Sequence, residues 1–306
     1  ETSMKIQASR LPVSAVKLSM AATAILLSGL VACGGALSKA SPKPVTPIAD
    51  TASGAQPIDS EKWFHQTRLP NGDGWYNNEA QHYTNRIDNA YVSDGTLKIV
   101  AKRERFTDQN RTKQFTSARL NSKYAFTYGR VDVRAKLPAG KGTWPAIWAL
   151  SKNIAENGGY WQTQGFGTDH WPAAGEIDIM EHWGKNQNYV SSALHTPSSS
   201  GNTVNVDGQT IATVSSEFHI YSLDWNADRM IFSVDGNAHY RYEPEEKTAA
   251  TWPFDSPQYL LLNFAIEGQH ITEDFIQDQM EVDYLRVYAP NASSSAAPIW
   301  ADEFNN

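Results

Sequence analysis

The sequence predicts an all-β protein, a sandwich or barrel built from short strands. Hydrophobic segments of about five to eight residues recur between Gly, Asn, Asp and Pro, a spacing that is typical of such folds. Residues 130–137 alternate strictly between polar and apolar side chains, as a strand with one buried face requires. Amphipathic helices are scarce, and we expect no more than one short helical turn, at 273–279.

Taken in chain order, nine segments have the composition and the boundaries of strands. They are residues 91–92, 96–101, 119–120, 129–137, 189–195, 219–225, 230–234, 259–266 and 282–288. No repeat of fixed period connects them, so we expect a single sandwich and no repetitive array.

Composition and charge describe an ordinary globular protein with many aromatic side chains. Of the 306 residues, 41% are hydrophobic and 19% are charged, and the 11% aromatic share includes 10 Trp. Indole rings suit the C–H faces of sugars, although many of them could simply fill the core. The net charge of −7 argues against the basic stripe that nucleic-acid binding requires. We expect no nucleic-acid partner and a monomeric protein.

The first 33 residues resemble a bacterial lipoprotein signal peptide. After a cloning remnant at 1–3, a start containing Lys and Arg leads into the apolar segment 18–32, which is short for a membrane span. Residues 30–33 (Leu-Val-Ala-Cys) resemble a lipobox, in which Cys33 becomes the lipidated first residue of the mature protein. The alternative is an ordinary secretory signal with an incidental cysteine.

The expected location is the bacterial cell envelope, with the lipid on Cys33 as the only membrane contact. Gly34, rather than Asp, follows the cysteine, which resembles lipoproteins sorted to an outer membrane. Residues 34–57 are rich in Pro and small side chains and are predicted to be a flexible linker. The folded domain is expected to cover 58–306.

Residues 175–181 (Gly-Glu-Ile-Asp-Ile-Met-Glu) place three carboxylates in an apolar run that is typical of a buried strand. Buried carboxylates are costly unless they are paired or hydrogen-bonded, so three together indicate a functional site. Side chains alternate along a strand, so Glu176 and Asp178 share a face while Glu181 falls on the other. A β-bulge at Ile179 or Met180 would bring Glu181 beside them. The alternative is a structural acidic strand edge.

Several separated motifs resemble glycoside hydrolase family 16. They are 77–79 (Asn-Asn-Glu), 83–84 (Tyr-Thr), 128–130 (Tyr-Gly-Arg), 144–148 (Trp-Pro-Ala-Ile-Trp), 171–181, His195, 262–266 and 282–284. They occur in the family's order, and the resemblance runs from residue 58 to residue 288. It implies a jelly-roll β-sandwich of two bent antiparallel sheets with a substrate cleft on the concave face.

This sequence departs from the family that it resembles at the first strand, which in that family usually contains Trp-x-Asp-Glu-Phe. The equivalent segment here, 47–50 (Pro-Ile-Ala-Asp), lacks the tryptophan and the Glu-Phe pair. The missing motif occurs at the other end of the chain, in 298–306, after a Ser/Ala linker. We interpret this as a circular permutation that displaces the first strand. The alternatives are a truncated second copy of the domain or strand exchange with a neighbouring molecule.

The resemblance also implies the chemistry. Glu176 would be the nucleophile and Glu181 the general acid/base, while Asp178 between them would hydrogen-bond Glu176 and help to keep the proton on Glu181. Two glutamates on one short bulged strand should lie close together, which predicts retention of anomeric configuration. The implied enzyme is an endo-glucanase that cuts β-1,3 links in laminarin-type or mixed-linkage glucans. A galactan hydrolase of the same fold and a non-catalytic carbohydrate-binding sandwich are the alternatives.

Six further residues are expected to bind sugar, all by resemblance: Asn78, Arg119, Trp144, Trp148, His195 and Glu267. Each has a plainer alternative, namely core packing for the tryptophans and a satisfied hydrogen-bonding role for the others. His195 is expected to support Glu181. The insertion at 153–170 would either wall the cleft or cover it as a lid.

Catalysis is expected to need no cofactor. Calcium on the convex face is implied by the resemblance, with oxygen ligands from Glu303, Gly95 and Asp283. Such an ion would pin the displaced strand to the body of the domain.

Overall fold

The computed structural model describes residues 54–305, which form two β-sheets with a shared core. Within these residues, regular helix is limited to one short α-helix, α1 (Tyr160–Thr163), and to 3-10 turns at Tyr76–Asn78 and Gly184–Asn186. The all-β prediction is confirmed. The predicted signal peptide, Cys33 and most of the predicted linker lie outside the described part of the chain.

Seventeen strands are present in the described residues. They are β1 (Trp63–His65), β2 (Gln81–Tyr83), β3 (Ala90–Ser93), β4 (Thr96–Asp108), β5 (Arg111–Ser117), β6 (Arg119–Phe126), β7 (Gly129–Lys136), β8 (Thr143–Ser151), β9 (Glu176–His182), β10 (Tyr189–His195), β11 (Val206–Thr210), β12 (His219–Trp225), β13 (Met230–Val234), β14 (Asn237–Tyr242), β15 (Gln258–Ile266), β16 (Gln277–Tyr288) and β17 (Trp300–Asp302).

The strands form a seven-stranded sheet in the order β1-β6-β15-β8-β9-β10-β11 and a ten-stranded sheet. The second sheet runs β14-β13-β12-β7-β16-β4-β5-β2, with β17 beside β16 and β3 beside β4. β2 and β5 pair in parallel, which departs from the fully antiparallel prediction. The predicted helical turn at 273–279 is wrong, because residues from Gln277 onward open β16 and pair with β4.

Successive side chains of a strand point to opposite faces of the sheet, so one face packs into the core while the other can line a cleft. In β7, Val131, Val133 and Ala135 are buried in the core between the sheets, as the pattern at 130–137 predicts. In β15 all nine residues are buried, but they still divide by parity. Its even-numbered residues from Leu260 to Ile266 pack into the same core, whereas Asn263 and Ala265 line a cleft on the opposite face.

β8 is a central strand that the sequence does not predict, because it contains Pro145. Proline cannot donate to a sheet ladder and is normally confined to edges or bulges. Here Pro145 lies opposite Phe264 of β15, inside a nine-residue run of pairing that continues on both sides. The tryptophans at the two ends of the 144–148 motif therefore lie on one regular strand.

The C-terminal strand β17 completes the ten-stranded sheet of its own domain. It pairs antiparallel with β16, with Leu285 opposite Asp302. The Trp63 indole N–H donates to Asp302 Oδ2 at 2.8 Å, and Phe304 is 1% exposed, packed against Trp63 at a ring distance of 6.3 Å. The strand thus occupies a slot within this molecule. A circular permutation as its origin stays an interpretation.

One further expectation concerns the start of the folded domain. The predicted linker extends to residue 57, but Gln56 already pairs with Val92 through two backbone hydrogen bonds of 2.8 Å, so the sheet begins earlier. Among the described residues, no helix is both long and apolar enough to cross a membrane.

Candidate active site

The cleft lies over the seven-stranded sheet and encloses about 740 Å³. Residues of one parity form its floor, because successive side chains of a strand point to opposite faces. β8 contributes Trp144, Ala146, Trp148 and Leu150, β10 contributes Ser191, Ala193 and His195, and β15 contributes Asn263 and Ala265. The predicted acids Glu176, Asp178 and Glu181 of β9 lie between β8 and β10 on the same floor.

The predicted β-bulge is present and lies at Ile179. On the β8 side, Ile147 pairs with Met180 and the next residue, Trp148, pairs with Asp178, which leaves Ile179 as the extra residue. On the β10 side the register shifts across the same segment. Ile179 and Met180 pack into the core, so the shift returns Glu181 to the cleft face.

The three carboxyls hold protons more tightly than free carboxyls do. Burial, and then repulsion from Asp178, raise the pKa of Glu176 to about 8. Burial raises the pKa of Asp178 well above its usual range, with repulsion from Glu181 adding to the effect. Burial also raises the pKa of Glu181. The cluster therefore retains a proton at neutral pH, which is what a general acid requires.

Two indoles and an imidazole contact these acids. The Trp171 indole N–H donates to Glu176 Oε2 at 2.9 Å, and that of Trp144 donates to Glu181 Oε1 at 3.0 Å. His195 Nε2 lies 3.3 Å from Asp178 Oδ2 and 3.8 Å from Glu176 Oε1. The expectation that His195 supports Glu181 holds only electrostatically, since His195 lowers the pKa of Glu181. Its direct contacts are with Asp178 and Glu176, because the β9–β10 register puts His195 opposite Glu176.

Aromatic side chains form the sides of the cleft. Trp144 stacks on Trp183 with ring centroids 3.9 Å apart and planes inclined by 21°. Trp148, on the same face of β8, donates its indole N–H to Asn263 Oδ1 at 2.7 Å. Both predicted tryptophans are partly exposed in the cleft, as a sugar-stacking role requires.

Arg119 borders the cleft but is 2% exposed, and its guanidinium is already engaged. It forms an ion pair with Glu156, donates to Gln66 Oε1 at 2.9 Å and lies 4.6 Å from the Trp148 ring centroid. Glu156 belongs to the insertion at 153–170, so this buried ion pair attaches the insertion to the sheet. Residues 154–156 of the insertion line the cleft and form part of its wall.

Two of the predicted sugar-binding residues are not in the lining of the cleft. At the 3-10 turn, Asn77 lines the cleft and the exposed Asn78 does not. Both residues have left-handed backbones, with φ values of 52° and 58°, which direct successive side chains apart. Glu267 is instead paired with Lys185, at 3.2 Å.

Sequence reasoning missed several residues of the site, namely Tyr76, Asn77, Glu79, Glu156, Trp171, Trp183 and Asn263. A signal was available for five of them: Trp171 and Trp183 flank the acidic segment closely, and Asn77, Glu79 and Asn263 lie in motifs that resemble the family. The buried Glu156 carried no local sign, because its partners Arg119 and Tyr259 are distant in the chain. Glu79 accepts from Gln81 and Tyr83, both at 2.7 Å.

The residues predicted to bind calcium do not fit that ion. Glu303 accepts two hydrogen bonds from Arg286, at 2.8 and 2.7 Å, and Asp283 is paired with Arg134 at 2.5 Å. Both carboxylates are thus neutralised by guanidinium groups that would compete with a cation. In the described residues, Glu176, Asp178 and His195 do cluster closely enough to hold an ion, but they occupy the cleft floor.

Comparison with known proteins agrees with the geometry. The model of Glycosyl hydrolases family 16 matches residues 77–286. A beta-glucanase from Rhodothermus marinus is 36% identical over 296 residues, which are 91% of this chain and 98% of that protein. A LamA variant from Z. galactanivorans, crystallised with laminaritriose and laminaritetraose, is 45% identical with a TM-score of 0.70, over 78% of this chain and 96% of that chain.

A third relative has the same fold. SCLam, described as a non-specific endo-beta-1,3(4)-glucanase from the same family, is 37% identical with a TM-score of 0.66, over 78% of this chain and 88% of its own. The family match spans most of the chain, and these relatives are covered over most of their length. The chain therefore belongs to glycosyl hydrolases family 16.

Proposed function

We propose that this protein is a retaining endo-glucanase that hydrolyses β-1,3 links in laminarin-type or mixed-linkage β-glucans. The observation that carries the proposal is the set of three carboxyls on one bulged strand, at the floor of a cleft walled by tryptophans. A purely binding cleft gains nothing from three mutually repelling buried carboxyls. The laminaritriose and laminaritetraose of the LamA relative, and the description of SCLam as an endo-beta-1,3(4)-glucanase, support a glucan rather than a galactan.

The chemistry divides between two glutamates. The Glu176 carboxylate attacks the anomeric carbon while the glycosidic C–O bond breaks and the proton of Glu181 passes to the leaving oxygen. Water then donates a proton to the Glu181 carboxylate and displaces Glu176 from the same carbon, which restores both groups. Two displacements at one carbon retain its configuration.

Proton placement in the cluster supports these roles. The Trp171 N–H and the nearby His195 favour the ionised Glu176 that attack requires, against the burial and the repulsion from Asp178 that raise the pKa of this carboxyl. Burial raises the pKa of Asp178, which is 4% exposed on the same floor, and a protonated Asp178 no longer repels the carboxylate of Glu176. No metal or cofactor is needed for this sequence of steps.

Product analysis on three polysaccharides tests the proposal. Laminarin and lichenan should yield oligosaccharides of several lengths, as an endo-acting enzyme produces, whereas agarose should not be cut. NMR of the first products should show β-anomers. Glu176→Gln should fold normally and lose activity by several orders of magnitude. Cleavage of agarose alone, or new reducing ends from none of the three, would overturn the glucanase assignment.

We further propose that the enzyme is tethered to the bacterial cell envelope through a lipid on Cys33, with 34–57 as spacer. The lipobox-like segment 30–33 supports this proposal. Growth with labelled palmitate should label the wild-type protein, whereas Cys33→Ser should carry no label and should appear in the soluble fraction. Equal labelling of the two proteins would refute the anchor.

A further inference from the structure

The bulge that places Glu181 is held from behind by a buried serine. An extra residue in a strand leaves its own backbone groups outside the regular ladder. Ser192 Oγ, on β10, donates to the carbonyl oxygen of Ile179, the extra residue, at 2.7 Å. Ser192 is 1% exposed and lies between the core residues Val190 and Leu194. It therefore reaches the bulge from the core, on the side away from the cleft.

The opposite sheet holds this serine in turn. His239 Nε2, on β14, lies 2.8 Å from Ser192 Oγ. The hydroxyl hydrogen is already directed at Ile179, so Oγ accepts and Nε2–H donates. His239 Nδ1 then accepts from the side-chain amide of Gln209, at 2.9 Å. One neutral imidazole tautomer satisfies every contact in this chain.

We propose that Ser192, supported by His239, is a positioning residue that fixes the Ile179 bulge and thereby keeps Glu181 on the cleft face. The inference rests on the proposed function, because it assigns Glu181 the acid/base role. The alternative is that the serine merely satisfies a core hydroxyl. The site of the contact favours positioning, since Ile179 is the residue by which the register shifts.

A set of single variants tests the inference. Ser192→Ala removes the donor to Ile179, Ser192→Thr retains it, and Ser222→Ala is the matched control, because Ser222 Oγ donates to Asp132 of the ten-stranded sheet at 2.8 Å. Ser192→Ala should lower kcat on laminarin on the order of 10- to 100-fold, as expected for a misplaced catalytic group. KM should stay nearly unchanged, Ser192→Thr should recover most of the loss, and the control should match wild type.

A substrate whose leaving group needs no protonation distinguishes a positioning role from a general loss of active-site structure. Dinitrophenolate leaves without protonation, so the first-turnover release of dinitrophenol from a dinitrophenyl β-laminarioligoside does not depend on Glu181. Ser192→Ala should keep that burst rate within about threefold of wild type while its laminarin kcat is low. Equal losses on both substrates, or no loss on laminarin, would refute the positioning role.

A second variant keeps the test decisive if Ser192→Ala does not fold. His239→Phe removes the donor to Ser192 at a partly exposed position, and it should show a smaller loss with the same dependence on leaving group. Glu176→Gln and Glu181→Gln are run in parallel. If these two retain activity, the proposed function is wrong. If they lose activity and both Ser192→Ala and His239→Phe behave as wild type, only the positioning role is wrong.

Discussion

Trp144 and Trp171 act on the two reacting glutamates in the same physical way. Each donates an indole N–H to one carboxylate oxygen, at 3.0 Å on Glu181 and 2.9 Å on Glu176. A donor favours the ionised form and lowers the pKa of the carboxyl, against the burial that raises it. The tryptophans of the cleft are therefore electrostatic partners of the acids as well as surfaces for sugar.

Replacing Trp144 by Phe should move the pH profile. The change removes the donor to Glu181 while retaining a ring that can stack on Trp183. Without the donor the pKa of Glu181 rises further, so the basic limb of kcat/KM should shift to higher pH. The measurement is the pH dependence of laminarin hydrolysis. Trp148→Phe is the control, because that indole donates to Asn263, and an equal shift in both variants would contradict the assignment.

At the scale of elements, the insertion at 153–170 is fixed to the sheet by a buried charge pair. Arg119 is 2% exposed and Glu156 is 3% exposed, and Tyr259 donates to Glu156 Oε2 at 3.2 Å. Water cannot compensate either charge at such a position. The wall of the cleft therefore depends on both residues.

Glu156→Ala should destabilise the protein by about 3–5 kcal/mol, because it leaves the Arg119 guanidinium buried without its partner. Urea denaturation of variant and wild type measures the difference. The matched control is Glu243→Ala, which breaks the exposed pair with Arg241 and should change stability by less than about 1 kcal/mol. Similar losses in the two variants would argue against a special role for the buried pair.

The C-terminal strand provides a second test at this scale. Asp302→Ala leaves the buried Trp63 indole N–H unpaired and should cost about 1–3 kcal/mol, measured by thermal unfolding. Because β17 pairs within its own domain, the melting temperature should not depend on protein concentration. A concentration-dependent transition would indicate strand exchange.

Glu303→Ala tests the rejected calcium site separately. Its carboxylate is bound by Arg286 in a partly exposed ion pair, so the loss of stability should be less than about 1 kcal/mol. The melting temperatures of wild type and variant should be the same in calcium and in chelator. A calcium-dependent gap between the two proteins would restore the metal site.

At the scale of the whole molecule, the acid cluster is destabilising. The folded pKa of Glu176, about 8, lies above the ordinary value of 4.5. Between these values the folded state binds more protons than the unfolded state, so this contribution to stability is lost as pH rises. The sandwich, with its core between two large sheets, has to hold the cluster together against that cost.

Glu176→Gln should therefore be more stable than wild type at pH 8, because glutamine cannot ionise. The advantage should shrink toward zero at about pH 4, where the wild-type carboxyl is protonated in both states. Calorimetry of the two proteins across this range measures the gap. A gap that does not change with pH, or a less stable variant at pH 8, would contradict the raised pKa.

Much of the architecture is predictable from the sequence. The alternation at 130–137 matches β7, and the predicted ranges 189–195 and 219–225 coincide with β10 and β12. β8 is not predictable in this way, since Pro145 argues against a central strand. Only the pairing of β8 with β15 and β9 in the folded sheet makes this strand favourable. Short edge strands such as β1 carry too few residues to show a period.

The all-β class, the three acids and the need for a bulge follow from the sequence alone, because alternation and residue chemistry are local properties of the chain. Three contacts depend on the folded structure: His195 with Asp178, Glu156 with Arg119, and Arg286 with Glu303. Register between strands sets the first contact, and packing between distant segments sets the second. Which charges become partners in a sandwich is a non-local outcome of folding, and it decides what a carboxylate can do.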